Sequence, residues 1–153
     1  MRVSAKADYA VRAGAELAAA QAAGTLTLKG ERIATAQGIP RRFLENILTD
    51  LRHAGLVHAR RGACGGYSLA RPAAEISIAD VMQVVEGPLA AVQGARPEEL
   101  CYPGAARSLP DAWIALRANL HVVLEAVSLA DLAAGVLPAA VVALAEQRSD
   151  AAG

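Results

Sequence analysis

At 153 residues the chain can bury one real core, and its 54% apolar content with only 3% aromatics favours closely packed helices over a β-sandwich. Fifteen basic and fifteen acidic side chains cancel only overall: residues 29–71 carry eight basic and three acidic groups, residues 72–153 four and ten. A basic front half with a polyanion-facing surface is therefore joined to an acidic back half, a pattern that excludes a uniformly neutral surface. Ser4 caps a first helix that ends by Gly24, with Tyr9, Val11, Ala13, Leu17 and Ala20 near one face. Thr25–Leu28 is a short β-prone connector, and Glu31–Gln37 a second helix stopped by Gly38. Pro40 suits the first turn of a third helix, whose Leu44, Ile47, Leu48 and Leu51 keep i, i+3, i+4, i+7 spacing. Leu56–Arg60 and Tyr67–Ala70 read as two strands of a hairpin, the glycines between them allowing the reversal.

Ser77 caps a short helix through Glu86, with Ile78, Val81, Met82 and Val85 inward. Gly87–Pro110 has no helical or strand period and reads as a functional or disordered loop. From Asp111 a long helix carries Trp113, Leu116, Leu120, Val123, Leu124 and Val127 as one apolar stripe. Ser128–Leu132 starts another turn, Pro138–Gln147 is a last short helix, and the tail Ser149–Gly153 is expected to fray. The expected fold is mainly α with a small β-hairpin, a winged helix-turn-helix plus a long C-terminal dimerisation helix. The expected units are 1–86 for DNA binding, 87–110 as a sensor-type loop and 111–148 for dimerisation.

The third helix separates its faces as a groove-reading helix must, with its N-terminal turns at base edges. Arg41 and Arg42 can reach guanine or phosphate, Glu45 can accept from cytosine and Asn46 can pair with adenine, with Thr49 on the same face. Arg60, Arg61 and the backbone amides of the Gly65-Gly66-Tyr67 hairpin suit phosphates or the minor groove. A polar outer face alone is common to surface helices. The adjoining basic, Gly-rich wing gives the pattern its specificity. Double-stranded DNA is the expected partner. A winged helix that binds protein instead is the alternative, because fold does not fix function.

The runs Ser4-Ala5-Lys6-Ala7-Asp8-Tyr9-Ala10, Phe43-Leu44-Glu45-Asn46-Ile47-Leu48, Arg61-Gly62-Ala63-Cys64-Gly65-Gly66-Tyr67-Ser68-Leu69-Ala70-Arg71 and Ser128-Leu129-Ala130-Asp131-Leu132 resemble the Rrf-two family of bacterial winged-helix transcription regulators. The resemblance covers residues 1–135, and the Gly-Gly-Tyr wing is its most specific part. It implies a homodimer with crossing long helices, binding to palindromic operators, and a base contact at the position of Glu45; the expected role is that of a repressor more than an activator. The stripe from Trp113 to Val127 supports a dimer independently, since a domain of this size cannot cover it all.

Iron–sulfur members of that family carry three cysteines in the loop before the long helix. Here that loop holds only Cys101, with Ala95 and Arg107 at the outer positions. A cluster needs about four ligands, usually thiolates, so an iron–sulfur cluster is not expected and no cofactor is implied. Asp8 matches the place of a family carboxylate ligand, but it more simply caps or solvates the first helix. The three histidines have no metal-ligand spacing, and no metal is expected. Cys64 in the wing and Cys101 in the loop remain as thiols that an oxidant could reach, but the favoured reading is that Cys64 is a tolerated small residue at the hairpin tip and Cys101 a remnant of a ligand set. A small effector at the 87–110 loop stays open. No Ser/His/Asp or Cys/His set or phosphate loop appears, so the chain is not read as an enzyme. No apolar run reaches the roughly 18–20 residues of a membrane span. The start has no signal-peptide core, because Lys6, Asp8 and Arg12 interrupt it. A cytoplasmic location is expected, where Cys64 and Cys101 would stay reduced.

Overall fold

The computed structural model describes residues 2–150, with side chains placed through residue 147. Helix α1 (Ala5–Ala22) begins where the Ser4 hydroxyl oxygen accepts from the Ala7 N–H at 3.0 Å. Its buried face is nearly all small: Ala7, Ala10, Ala13, Gly14 and Ala18 around Leu17. Small residues let neighbouring backbones approach, and α1 becomes the hub of the fold. The closest approach is at Gly14, where a Cβ would lie 3.0 Å from the side chain of Leu129.

Helix α2 (Gly30–Gln37) turns Ile33 inward and ends on Gly38, whose left-handed φ of 61° lets the chain reverse into α3 (Arg41–His53). Leu44, Ile47, Leu48 and Leu51 are buried as their spacing requires. Strands β1 (Val57–Arg60) and β2 (Gly66–Leu69) pair antiparallel, from Val57 opposite Leu69 to Arg60 opposite Gly66. The connector Thr25–Leu28 adds a single third rung. Leu28 and Tyr67 exchange two backbone hydrogen bonds of 2.8 Å. That rung anchors the root of the hairpin to the start of α2.

Helices α4 (Ile78–Glu86) and α6 (Leu129–Ala134) start with the same device. The Ser77 hydroxyl accepts from the Asp80 N–H while the Asp80 carboxylate accepts from the Ser77 N–H, and Ser128 with Asp131 repeats it. The two cap serines lie opposite each other, bridged where the Ile78 N–H donates to the Val127 carbonyl (2.9 Å) and the Leu129 N–H to that of Ile76 (2.8 Å). Hydrogen bonds from Ser128, its N–H first and its hydroxyl second, hold the Asp131 carboxyl below the ordinary carboxylate range. In α4 the buried positions are Ala79, Val81 and Met82, while Ile78 and Val85 are half-buried.

The 87–110 segment is ordered by its own contacts. Pro97 is buried, short 3-10 turns form at Pro97–Glu99 and Gly104–Ala106, and the Arg117 guanidinium donates to both carboxylate oxygens of Glu98, at 2.9 Å to Oε2. Helix α5 (Leu109–Ala126) starts two residues before the expected Asp111, because Pro110 fits its first turn. Helix α7 (Ala139–Asp150) follows α6. Most of the tail expected to fray, Ser149–Gly153, lies outside the described residues.

The core joins α1, α2, α3, the hairpin, α4 and α6. Leu129 is 1% exposed within it, so the chain after α5 returns to complete the core begun by residues 1–86. This corrects the stripe read from the sequence: Val127 caps the end of α5 and is 2% exposed within its own chain, so it is not part of a surface for dimerisation.

Candidate nucleic-acid interface

Three elements meet on one side of the molecule: the N-terminal turn of α2, the outer face of α3 and the wing. On α3, Arg41, Arg42, Glu45, Asn46 and Thr49 are all exposed, opposite the four buried apolar residues. They therefore share the face expected for reading a groove. Arg41 is not free there. Its Nε lies 3.4 Å from Glu45 Oε1 one turn on, and its Nη1 4.0 Å from Glu31 Oε1 on α2. The Thr49 hydroxyl donates to the Glu45 carbonyl at 2.9 Å, which leaves its oxygen able to accept. Phe43 is exposed beside them, its ring edge-on to Tyr9 with centroids 6.4 Å apart, and Tyr9 lies under the Arg12 guanidinium at 5.4 Å.

The wing owes its shape to glycine at two places. A Cβ on Gly66, whose φ is +150°, would lie 2.7 Å from the Leu28 carbonyl oxygen. A Cβ on Gly65 would lie 2.4 Å from the Arg60 carbonyl oxygen. The Gly65 N–H donates to Gly62 at 2.9 Å, and the Tyr67 N–H to Leu28. This corrects the sequence reading of the hairpin: Gly65 is buried, and the amides of Gly65 and Tyr67 are committed inside the protein rather than open to phosphate. Gly66 and Tyr67 are half-buried, Tyr67 packing on the core beside Gly30. The groups the wing offers outward are the exposed Arg60 and Arg61.

The structure adds two cations that the sequence reading passed over. Lys29 and Arg32, three residues apart at the start of α2, line a groove of about 380 Å³ with Arg60, Thr27 and Cys64. The signal was present in the charge count of residues 29–71, but α2 is too short for its period to show which cations face the wing. The Thr27 hydroxyl, donating to the Cys64 carbonyl at 2.9 Å, ties this groove to the wing tip. Cys64 and Cys101 are both exposed free thiols. Asp8 sits in the first turn of α1 and pairs with Arg12 at 2.9 Å, and Arg12 also donates to Gln37 of α2. Trp113, Leu120, Val123 and Leu124 are half-buried on α5 and Leu116 is 42% exposed.

The polar face of α3, the wing cations and the cationic groove thus lie on one side, as contact with a polyanion requires. The profile of the Rrf2 family, described as "Iron-dependent Transcriptional regulator", matches residues 3–135.

The chain belongs to the Rrf2 family.

Among its relatives, the HTH-type protein Rv1287 of Mycobacterium tuberculosis is 53% identical over 146 residues, covering 95% of this chain and 89% of its own. The transcriptional regulator CymR of Bacillus subtilis is 36% identical over 133 residues, covering 87% of this chain and 90% of its own. The solved structure of CymR, the global cysteine regulator of B. subtilis, superposes with a TM-score of 0.75 at 30% identity, over 89% of this chain and 98% of the other. IscR of T. potens gives 0.68 at 32% identity, over 86% and 85%. The fold is thus the winged helix of Rrf2 regulators. The protein is a DNA-binding transcriptional regulator and not an enzyme. Among the described residues, no helix is long and apolar enough to cross a membrane.

Proposed function

We propose that this Rrf2 protein acts in the cytoplasm as a homodimeric repressor of palindromic operators, and that it works without an iron–sulfur cluster. The observation that carries the dimer is α5: it is eighteen residues long, yet none of them is buried within its own chain. Leu109, Leu116 and Val122 are exposed on it, and Val136, Leu137, Val142 and Leu144 follow nearby in sequence. So much apolar surface on a small protein favours a second copy as its cover. Two chains related by a two-fold axis would present two reading helices to half-sites about 34 Å or a multiple apart. Base reading then falls to Arg41, Arg42, Glu45 and Asn46, and phosphate contact to Arg60, Arg61, Lys29 and Arg32.

The absence of a cluster is supported by the donors available. Cys101 is the only cysteine in the 87–110 segment, and Asp8 is engaged by Arg12. Among the described residues, no three His, Cys, Asp or Glu side chains gather as a metal would require. These residues do not fit a cluster that wants about four ligands.

Light scattering on the purified chain, with DNA binding measured on the same sample, tests the dimer. The wild type should run as a dimer, and Leu116→Glu should run as a monomer and lose most of its affinity for a palindromic duplex. A Leu116→Glu protein that stays dimeric and binds normally would refute this assignment of α5.

A further inference from the structure

The exposed guanidinium of Arg41 sits between two carboxylates, 3.4 Å from one and 4.0 Å from the other. Glu45 Oε1 faces its Nε, and Glu31 Oε1, from the neighbouring helix, faces its Nη1. A guanidinium carries five N–H donors in a fixed plane, so one carboxylate at Nε and another at Nη1 flank it from opposite sides and leave both N–H groups of Nη2 and one of Nη1, at the end of the plane, for another acceptor. All three side chains line one cleft of about 170 Å³ with Lys29, Leu44, Leu48 and Tyr67. Gly38 and Pro40 fix the turn between α2 and α3, so the spacing between Glu31 and Arg41 is set by the fold. Glu31 is also one of only three acidic residues among the eight cations of the basic segment 29–71. A carboxylate there weakens attraction to phosphates in general, so its presence calls for a compensating role.

We infer that Glu31 is a positioning residue for sequence specificity: together with Glu45 it holds the Arg41 guanidinium so that its free edge meets a guanine rather than a phosphate. This rests on the base-reading role proposed for Arg41. Held this way, Arg41 keeps its carboxylate partner in the complex, where exclusion of water strengthens the pair. A guanine offers the two acceptors, O6 and N7, that a fixed guanidinium edge can match. On unrelated DNA the same restraint keeps Arg41 off the backbone, and the Glu31 charge repels it.

The experiment uses the full-length chain and two duplexes: one enriched by the wild-type protein from a random pool, and a shuffled duplex of the same composition. Glu31→Gln should bind the enriched duplex roughly three- to fivefold more weakly, the scale of an exposed ion pair. It should bind the shuffled duplex at least as tightly as wild type, with a salt slope steeper by about one phosphate contact. In an Arg41→Ala background, Glu31→Gln should no longer weaken the enriched duplex at all. Equal changes on both duplexes, or the same loss without Arg41, would overturn the positioning role. If Arg41→Ala alone leaves discrimination intact, it is the base reading by Arg41 that has failed. Glu31 is exposed, so unchanged thermal unfolding of Glu31→Gln should accompany these results.

Discussion

The wing can be broken without touching the reading helix, and Gly65→Ala is the cleanest way. The new Cβ would sit 2.4 Å from the Arg60 carbonyl oxygen and 2.8 Å from the Gly62 carbonyl oxygen, both backbone atoms with no flexible end to swing aside. Overpacking of this kind costs about 1–3 kcal/mol if it is accommodated in place. Opening the tip relieves it by releasing two hydrogen bonds, from the Gly65 N–H to Gly62 and from the Thr27 hydroxyl to Cys64, both 2.9 Å. At about 1 kcal/mol each, the release limits the loss to about 2 kcal/mol. The base of the hairpin, from Val57 opposite Leu69, stays paired, so the core remains folded. DNA binding should suffer more selectively. Freed from a fixed tip, Arg60 and Arg61 lose their shared placement, and the slope of log affinity against log salt should fall by up to about 1.8, at 0.9 per phosphate. Fluorescence anisotropy across a salt series, with urea unfolding on the same protein, measures both. Gly62→Ala is the control, since nothing lies within 4 Å of its added Cβ and only its φ of +104° resists the change. A Gly65→Ala protein with the wild-type salt slope would refute the claim that the Gly-Gly turn places the wing cations on DNA.

Two further perturbations test the scaffold. Leu129→Ala should destabilise the chain by about 2–5 kcal/mol in urea unfolding, because its side chain fills the space above Gly14. Adding Gly14→Ala in that background should recover part of the loss, since the new methyl enters the vacated volume, and no recovery would mean that α1 and α6 had already closed together. The depressed Asp131 carboxyl makes a contribution that is present above its unfolded value, near 3.9, and is lost as pH falls through its lower folded value. Asp131→Asn should therefore lower the thermal midpoint at pH 7, and the gap to wild type should narrow below about pH 4. A gap independent of pH would assign the effect to geometry rather than to charge.

The sequence was most legible where one periodic pattern decides one face. The i, i+3, i+4, i+7 spacing of Leu44, Ile47, Leu48 and Leu51 is enough to place every polar residue of α3 outside, and all four are buried. Ser4, Ser77 and Ser128 marked helix starts because capping is a local bond between neighbours in sequence. Val127 was misplaced for the opposite reason. It continues the stripe of α5 in register, but the bridge between Ser77 and Ser128 pulls it into the core, and no local pattern encodes that pairing. The amides of Gly65 and Tyr67 were misread similarly, because the rung at Leu28 that uses one of them lies some forty residues away. The Arg41 clamp was half visible: its partner four residues on follows from helix geometry, whereas Glu31 depends on the angle between two helices.

The zero net charge bears directly on how such a protein finds DNA. The six excess positive charges of residues 1–71 are balanced by six excess negative charges after residue 71. The positive share is concentrated at α2, α3 and the wing, the elements that meet on one side. Half of the negative excess comes from Glu75, Asp80 and Glu86 in residues 72–86, and most of the rest from Asp131, Glu146 and Asp150 against Arg148, whereas residues 87–126 nearly balance with four acidic and three basic groups. Among the described side chains, none of these acidic groups lines the cleft or the groove on that surface. A uniformly basic protein would be drawn to DNA in any orientation. Here the basic excess lies on the α2, α3 and wing surface while the rest of the chain carries an acidic excess, so the field favours an encounter through the wing side. Orientation alone reads no sequence. On the function proposed for α3, it leaves the choice of site to the few groups there that would distinguish one base pair from another, and a carboxylate beside Arg41 would have its effect at that step.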